Sequence, residues 1–164
     1  MTEIHETPRS RMSNPVKTLP DLGALTGMMY KVIGNGTVPQ STISLVHLRA
    51  GQIVANTYLT AMHTEALRAA GETEARITAV SSWADALYFT PAERAALALV
   101  EAVLTAPAAG RERVSDAVFA EAAEHYDEKA LTTLVLAISQ VNFFIPLALI
   151  GKPLPGQAAS KQWT

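Results

Sequence analysis

The chain's 164 residues suffice for one domain with a sizeable core, and a net charge of -2 with a pI near 6.1 gives no broad positive field to draw in phosphate backbones, so nucleic acid is not an expected partner. There is no cysteine, which excludes disulfides, thiolate nucleophiles, Cys-ligated zinc and iron–sulfur clusters together. Hydrophobic residues make up 49% and charged residues 17%, with mean hydropathy +0.16, an apolar balance that predicts a surface shared with another subunit.

Residues 1–19, with Pro8, Pro15 and two arginines, predict an extended N-terminal arm. The segment has no apolar stretch of the kind a secretory signal needs, so a cytoplasmic location is expected. Pro20 and Asp21 open a helix whose Leu22, Leu25, Met28, Met29, Val32 and Ile33 recur at helical spacing, with the methionines filling core gaps. Gly34, Asn35 and Gly36 stop it. The stretch Ser41 to Gly71 predicts one long helix, in which Asn56, Leu59, Thr60, His63 and Leu67 fall within one arc. A lone imidazole on a mostly apolar stripe makes that arc the candidate site.

Thr73 caps the next predicted helix, which carries Ile77, Val80 and Trp83 toward the core and runs out near Tyr88 and Phe89. Thr90-Pro91-Ala92-Glu93 then gives a full capping box with proline at the first helical position. Ser115 caps the following helix and Asp127 the last one. That last helix is apolar on nearly every face, as expected of an element enclosed by others. Its run Leu131 to Ile150 approaches the length of a membrane span, but Thr132, Thr133, Ser139, Gln140, Asn142 and Pro146 make it a buried or interface helix instead, and no membrane association is expected. Pro146 should kink or end it. Residues 151–164 read as a loop-like tail whose Trp163 could anchor on a neighbouring subunit. Residues 20–150 thus form an all-α domain, a bundle of about six helices.

His5, His47 and His125 are widely spaced and form no H-E-x-x-H or i,i+4 pair, so neither a metal site nor a cofactor is called for. Arg49 and Gln52 read as partners for helix–helix or intersubunit hydrogen bonds. Asp85 and Glu93 do not read as paired catalytic carboxylates, because capping accounts for Glu93.

Four blocks carry a family resemblance: LVHLRAGQ (Leu45 to Gln52), AMHTEALRAAGETEARI (Ala61 to Ile77), SSWADALYFTPAERAALALVEAVL (Ser81 to Leu104) and HYDEKALTTLVLAISQVN (His125 to Asn142). In order and spacing they resemble the carboxymuconolactone decarboxylase family, and more narrowly its alkylhydroperoxidase D-like branch, over roughly residues 10–145. The resemblance implies an all-helical fold assembled as homo-oligomers, trimers or hexamers. It also implies a redox site built from a Cys-x-x-Cys pair at a helix N-terminus, a histidine four residues after the second cysteine and a glutamate twelve residues before the first. Laid onto this chain, those positions fall on Asn56, Leu59, His63 and Ser44, so the histidine alone is retained. An amide and an alkyl group cannot be cycled by a hydroperoxide, and the family's thiol chemistry is therefore not expected here. The Asn-Gly pair common just before the family's first cysteine is Val54-Ala55, which predicts a smoother helix through the old site. Where many relatives carry an arginine-bearing polar cluster after the equivalent of Asn142, this chain reads Phe143-Phe144-Ile145-Pro146, which suits a dry cavity or an altered interface.

His63, with Tyr58 and Asn56 in potential reach, has two readings: a proton carrier or ligand partner, or a buried imidazole bonded to a neighbouring carbonyl or hydroxyl. Tyr58 and Thr60 are the expected pocket residues, although a tyrosine at position 58 also suits an interface. The function expected is a small-ligand-binding or structural oligomer, the ligand a small organic molecule. The alternative is a non-thiol enzyme in which His63 supplies acid–base chemistry for a decarboxylation or for a lactone or organic acid.

Overall fold

Helix boundaries follow the capping residues. The Thr90 hydroxyl accepts from the Glu93 N–H while the Glu93 carboxylate accepts from the Thr90 N–H, and the Thr73, Ser115 and Asp127 side chains each accept a backbone N–H in the first turn they precede. Each such cap contributes about 1 kcal/mol. The computed structural model describes residues 8–164; His5 and the rest of the first seven residues of the expected arm lie outside the described residues. Among the described residues there are eight α-helices and no strand: α1 (Pro15–Thr18), α2 (Asp21–Ile33), α3 (Gln40–Ile53), α4 (Thr57–Ala69), α5 (Glu74–Ala79), α6 (Pro91–Leu104), α7 (Asp116–His125) and α8 (Glu128–Gly151). The all-α expectation holds.

α3 is the centre of the bundle, with α4, α6 and α8 packed against it. Its Ile43, Val46 and Ala50 meet Ala96 and Val100 of α6 and Leu134, Ala137 and Val141 of α8 in the main core. Its Leu45 and Leu48 face the other way, into a second cluster with Leu67, Ile77, Val80 and Leu97. A third, smaller cluster joins Leu59 of α4 to Ile145 and Ala148 of α8.

Several sequence expectations are corrected. The Ser41–Gly71 stretch is two helices, broken between Ile53 and Thr57. The helix expected to reach Tyr88 stops at Ala79 and passes through a 3-10 turn at Val80–Ser82. There the Ser81 and Ser82 hydroxyls bond back to the Thr78 and Ala79 carbonyls, and the Arg94 guanidinium donates to the carbonyls of Trp83, Ala84 and Ala86, so the irregular chain is satisfied without helix. α8 continues through Pro146 to Gly151, held on both sides of the proline by buried Ile145 and Ala148, and ends where Lys152 turns left-handed (φ 48). On α2 only Ile33 is buried, while Leu25, Met28 and Val32 are exposed, so the methionines are not a core pair. Trp163 packs within its own chain: a Cβ added at Gly151 would lie 2.7 Å from its ring, and glycine is what lets the indole sit on the end of α8. The tail is further tied back by Ser10–Thr164 hydrogen bonds and by the Arg11 N–H to the Gly151 carbonyl, 2.7 Å.

Candidate functional site

The break between α3 and α4 sets the site. Ala55 takes a left-handed conformation (φ 51), and the Asn56 Oδ1 accepts the Leu59 N–H at 2.9 Å, capping α4. Gly51 makes the fold-back possible, since a Cβ there would lie 3.0 Å from the Thr60 nitrogen and 3.1 Å from the Leu59 Cβ. α3 and α4 therefore run as a tight antiparallel hairpin, with Gly51 level with Leu59 and Thr60, and His47 one turn away level with His63. Asn56 stands at the positive end of a helix, where an anion would be favoured, but its own amide oxygen fills the capping role. Leu59 is 1% exposed and acts as a packing residue between α4 and α8. Ser44 is buried on α3.

The hairpin unites two histidines that lie sixteen residues apart in sequence. The His47 and His63 rings meet edge to face with centroids 5.0 Å apart. His47 is buried, and because a carbonyl can only accept, its Nε2 carries the proton donated to the Ala137 oxygen at 2.9 Å. This leaves Nδ1 as the free base. Burial pushes the His47 imidazole down to about 4, a shift only partly opposed by that hydrogen bond. Burial, reinforced by the neighbouring His47, pushes His63 down to about 3. Both rings are neutral at pH 7, and a group so weakly basic is a poor general base near neutrality. The carbonyl-bonded imidazole foreseen at position 63 is thus His47, which sequence spacing passed over. Only the recognition of a hairpin centred between Gly51 and Thr60 could have paired it with His63. Asn56 and Tyr58 are engaged elsewhere, the Tyr58 hydroxyl donating to the Gln162 Oε1 at 2.8 Å.

A cavity of about 220 Å³ opens beside α4. Its walls come from α1 (Val16), α2 (Thr26, Tyr30), α4 (Tyr58, Leu59, Met62), α8 (Phe144, Leu147) and the tail (Trp163). Among the described residues, none that lines it is charged. Tyr58 of the expected pocket is here, whereas Thr60 and His63 are not among its lining residues. Burial raises the phenols of Tyr30 and Tyr58 above their usual value, so both are neutral; the Tyr58 O–H is given to Gln162, and its oxygen can still accept. Tyr30, Phe144 and Trp163 come from elements distant in sequence, and no local motif marks them.

Of the remaining candidates Arg49 and Glu93 have structural partners, whereas the Gln52 Oε1 is buried with no hydrogen-bond partner among the described residues. Arg49 of α3 pairs with Glu101 of α6 at 3.0 Å, and the Trp83 indole N–H donates to the same carboxylate at 2.7 Å. Glu93 holds Arg76 at 2.5 Å while it caps α6. Among the described residues, no group of three or more His, Cys, Asp or Glu side chains could hold a metal ion.

The model of the carboxymuconolactone decarboxylase family matches residues 22–102, which span the central hairpin and most of α6. The chain is 32% identical over 133 residues to the uncharacterised protein YdfG of Bacillus subtilis (strain 168), covering 81% of this chain and 86% of that protein. It belongs to the carboxymuconolactone decarboxylase family. Among solved structures, ATU0492 of Agrobacterium tumefaciens, a protein of unknown function described as a candidate AhpD antioxidant-defence protein, matches with a TM-score of 0.80 at 22% identity over 92% of this chain and all of that one. The debrominase Bmp8 matches with a TM-score of 0.72 at 21% identity, covering 82% of this chain and 70% of that one. It has been solved alone and, as a cysteine-to-alanine variant, with 2,3,4-tribromopyrrole. The fold is AhpD-like.

Proposed function

We propose that this family member has lost thiol redox chemistry and serves as a cytoplasmic homo-oligomer that binds a small organic molecule, acting neither on nucleic acid nor at a membrane. The observation that carries this reading is the cavity set against Leu59, the position at which the family resemblance places the second cysteine. An uncharged, aromatic-walled space with a few phenol and hydroxyl groups is the composition of a ligand pocket. The acid–base alternative has less support, because His63 lies off the cavity lining and titrates near 3. Oligomerisation is supported by the apolar side chains left outside on α2 and α8, among them Leu25, Met28, Phe143 and Ile150.

Two measurements test the reading. Small apolar aromatics should raise the melting temperature of the purified protein, since selective binding to the native state stabilises it, and the Leu147→Trp variant, which fills the cavity, should abolish the shift. Cumene hydroperoxide should not be turned over by metal-free protein; turnover abolished by His63→Ala would overturn the loss of peroxidase activity.

A further inference from the structure

Three of the long helices begin at one place. Pro39, Thr90 and Asp127, the residues that precede the first turns of α3, α6 and α8, all line a cleft of about 410 Å³ that shares no lining residue with the cavity against Leu59. Aligned peptide dipoles put partial positive charge at each of these starts. Two of them are neutralised from within the chain: the Glu93 carboxylate accepts the Thr90 N–H at 2.8 Å, and the Asp127 carboxylate accepts the Ala130 N–H at 2.8 Å. α3 differs, because the proline at its N-cap has no side-chain oxygen to offer and no side chain caps its first turn. The N–H groups of Gln40, Ser41 and Thr42 therefore have no partner among the described residues. A second group is left waiting beside them. Thr42 is 3% exposed and lines the same cleft, and its hydroxyl makes no hydrogen bond among the described residues. Buried hydroxyls are ordinarily satisfied. Thr133, inside α8, donates to the carbonyl four residues back, but Thr42 stands in a first turn, where the chain four residues back is not yet helical.

We infer that this cleft binds the carboxylate of a small organic acid, which caps α3 as Asp127 caps α8, accepting the first-turn N–H groups and the Thr42 hydroxyl. The site stands apart from the ligand-binding reading above and does not depend on it. Its partner must be an acceptor, since every unpaired group named is a donor; His125, on the same lining, adds an imidazole N–H. One negative charge is tolerated beside the two carboxylates already there, because Arg76 offsets Glu93 at 2.5 Å and the start of α8 offsets Asp127. A dianion is disfavoured: the Born cost of leaving water grows with the square of the charge, whereas attraction to the half-charge at a helix start grows only in proportion to it. About 410 Å³ leaves room for a short carbon skeleton beyond the carboxylate.

The test is amide NMR of the full chain at pH 7, titrated with sodium acetate and, at matched ionic strength, with sodium chloride and inorganic phosphate. Acetate should move the Gln40, Ser41 and Thr42 amide resonances saturably and bind more tightly than phosphate, and chloride should leave them in place. Thr42→Val, which keeps the shape and removes the hydroxyl, should weaken acetate binding about ten-fold, or about 1.4 kcal/mol, while Thr42→Ser should retain it. Pro39→Asp, at an exposed position, supplies the chain with its own capping carboxylate and should abolish acetate binding with the circular dichroism unchanged; it serves as the test even if Thr42→Val does not fold. Equal shifts with chloride, or no saturable shift at these three amides, would overturn the site. Tighter binding of phosphate than of acetate would overturn the carboxylate assignment, and a folded Pro39→Asp that binds acetate as wild type does would overturn the role of the α3 terminus.

Discussion

α3 and α8 invert the usual relation between composition and burial. α3 carries Thr42, Ser44, His47, Arg49 and Gln52 among its fourteen residues, yet nine of the fourteen are buried and it touches three other long helices. α8 is the more apolar by far, long and hydrophobic enough to cross a membrane by composition alone, yet it leaves Val135, Leu136, Phe143, Leu149 and Ile150 exposed. Position in the bundle explains α3. A central helix must offer every neighbour a contact, so Gly51 admits the α4 backbone, His47 and Arg49 hold partners on α8 and α6, and Leu45 and Leu48 fill the far side. α8 closes one side of the bundle, and its inward stripe from Ala130 to Ala148 already satisfies the core. Its remaining apolar surface has no role within one chain, which is what the proposed oligomer would use.

The largest expected effect is on the inner helix. Leu48, 1% exposed between α3 and the Ile77–Val80 turn, should cost about 3 kcal/mol when cut to alanine, from lost transfer energy and the cavity left behind. Urea denaturation measures it. A loss below about 1 kcal/mol would mean that α3 is not the organising element.

His47 gives α3 a pH signature that α8 lacks. Its folded value, about 4, lies below the ordinary 6.5, so between those values the unfolded chain binds the extra proton. The stability tied to the neutral ring is fully present above pH 6.5 and is lost as the pH falls toward 4, at a slope approaching 1.4 kcal/mol per pH unit. His63, depressed further to about 3, tilts stability in the same direction. The urea midpoint should therefore fall between pH 6.5 and 5, before most carboxylates titrate, and His47→Gln should flatten the fall. A midpoint that is level over that interval in wild type would break the assignment of a buried neutral pair.

The hairpin between α3 and α4 gives a gain rather than a loss. Ala55 holds φ 51 where a Cβ is strained, at the place where the resembling family commonly has glycine. Ala55→Gly should stabilise the chain by about 1 kcal/mol, seen as a higher urea midpoint with an unchanged slope. An unchanged or lower midpoint would show that the turn carries no strain.

That turn also marks the boundary of what could be read in the residues. Side-chain caps were legible at Thr73, Thr90, Ser115 and Asp127, because each is a local hydrogen bond written in two or three neighbouring positions. Asn56 is a residue type that caps helices well, but Val54-Ala55 contains no glycine, so nothing local demanded the break and one long helix was expected; contact between Gly51 and Thr60 imposes the break from outside. The family resemblance singled out Asn56, Leu59, His63 and Ser44, which the structure places along or at the turn of the hairpin. It could not pair His47 with His63, nor join Tyr30, Phe144 and Trp163 around one cavity, since those meetings depend on how α2, α8 and the tail close over α4.

The smallest effect on folding belongs to the outer face of α8, and it separates burial from assembly. Ile150 is 62% and Leu149 42% exposed, so replacing both with serine removes little core contact and should change monomer stability by no more than about 0.5 kcal/mol. In an oligomer that uses this face the same change strands no buried polar group in the monomer but removes apolar area from the interface, at about 25 cal/mol per Å². Sedimentation equilibrium of wild type should give a mass above 17.5 kDa, and the double variant should move toward that of one chain while its circular dichroism is unchanged. A wild type that sediments as one chain would leave α8's outer surface without a partner. A double variant that unfolds would place those side chains in the core instead, and the contrast between the two helices would collapse.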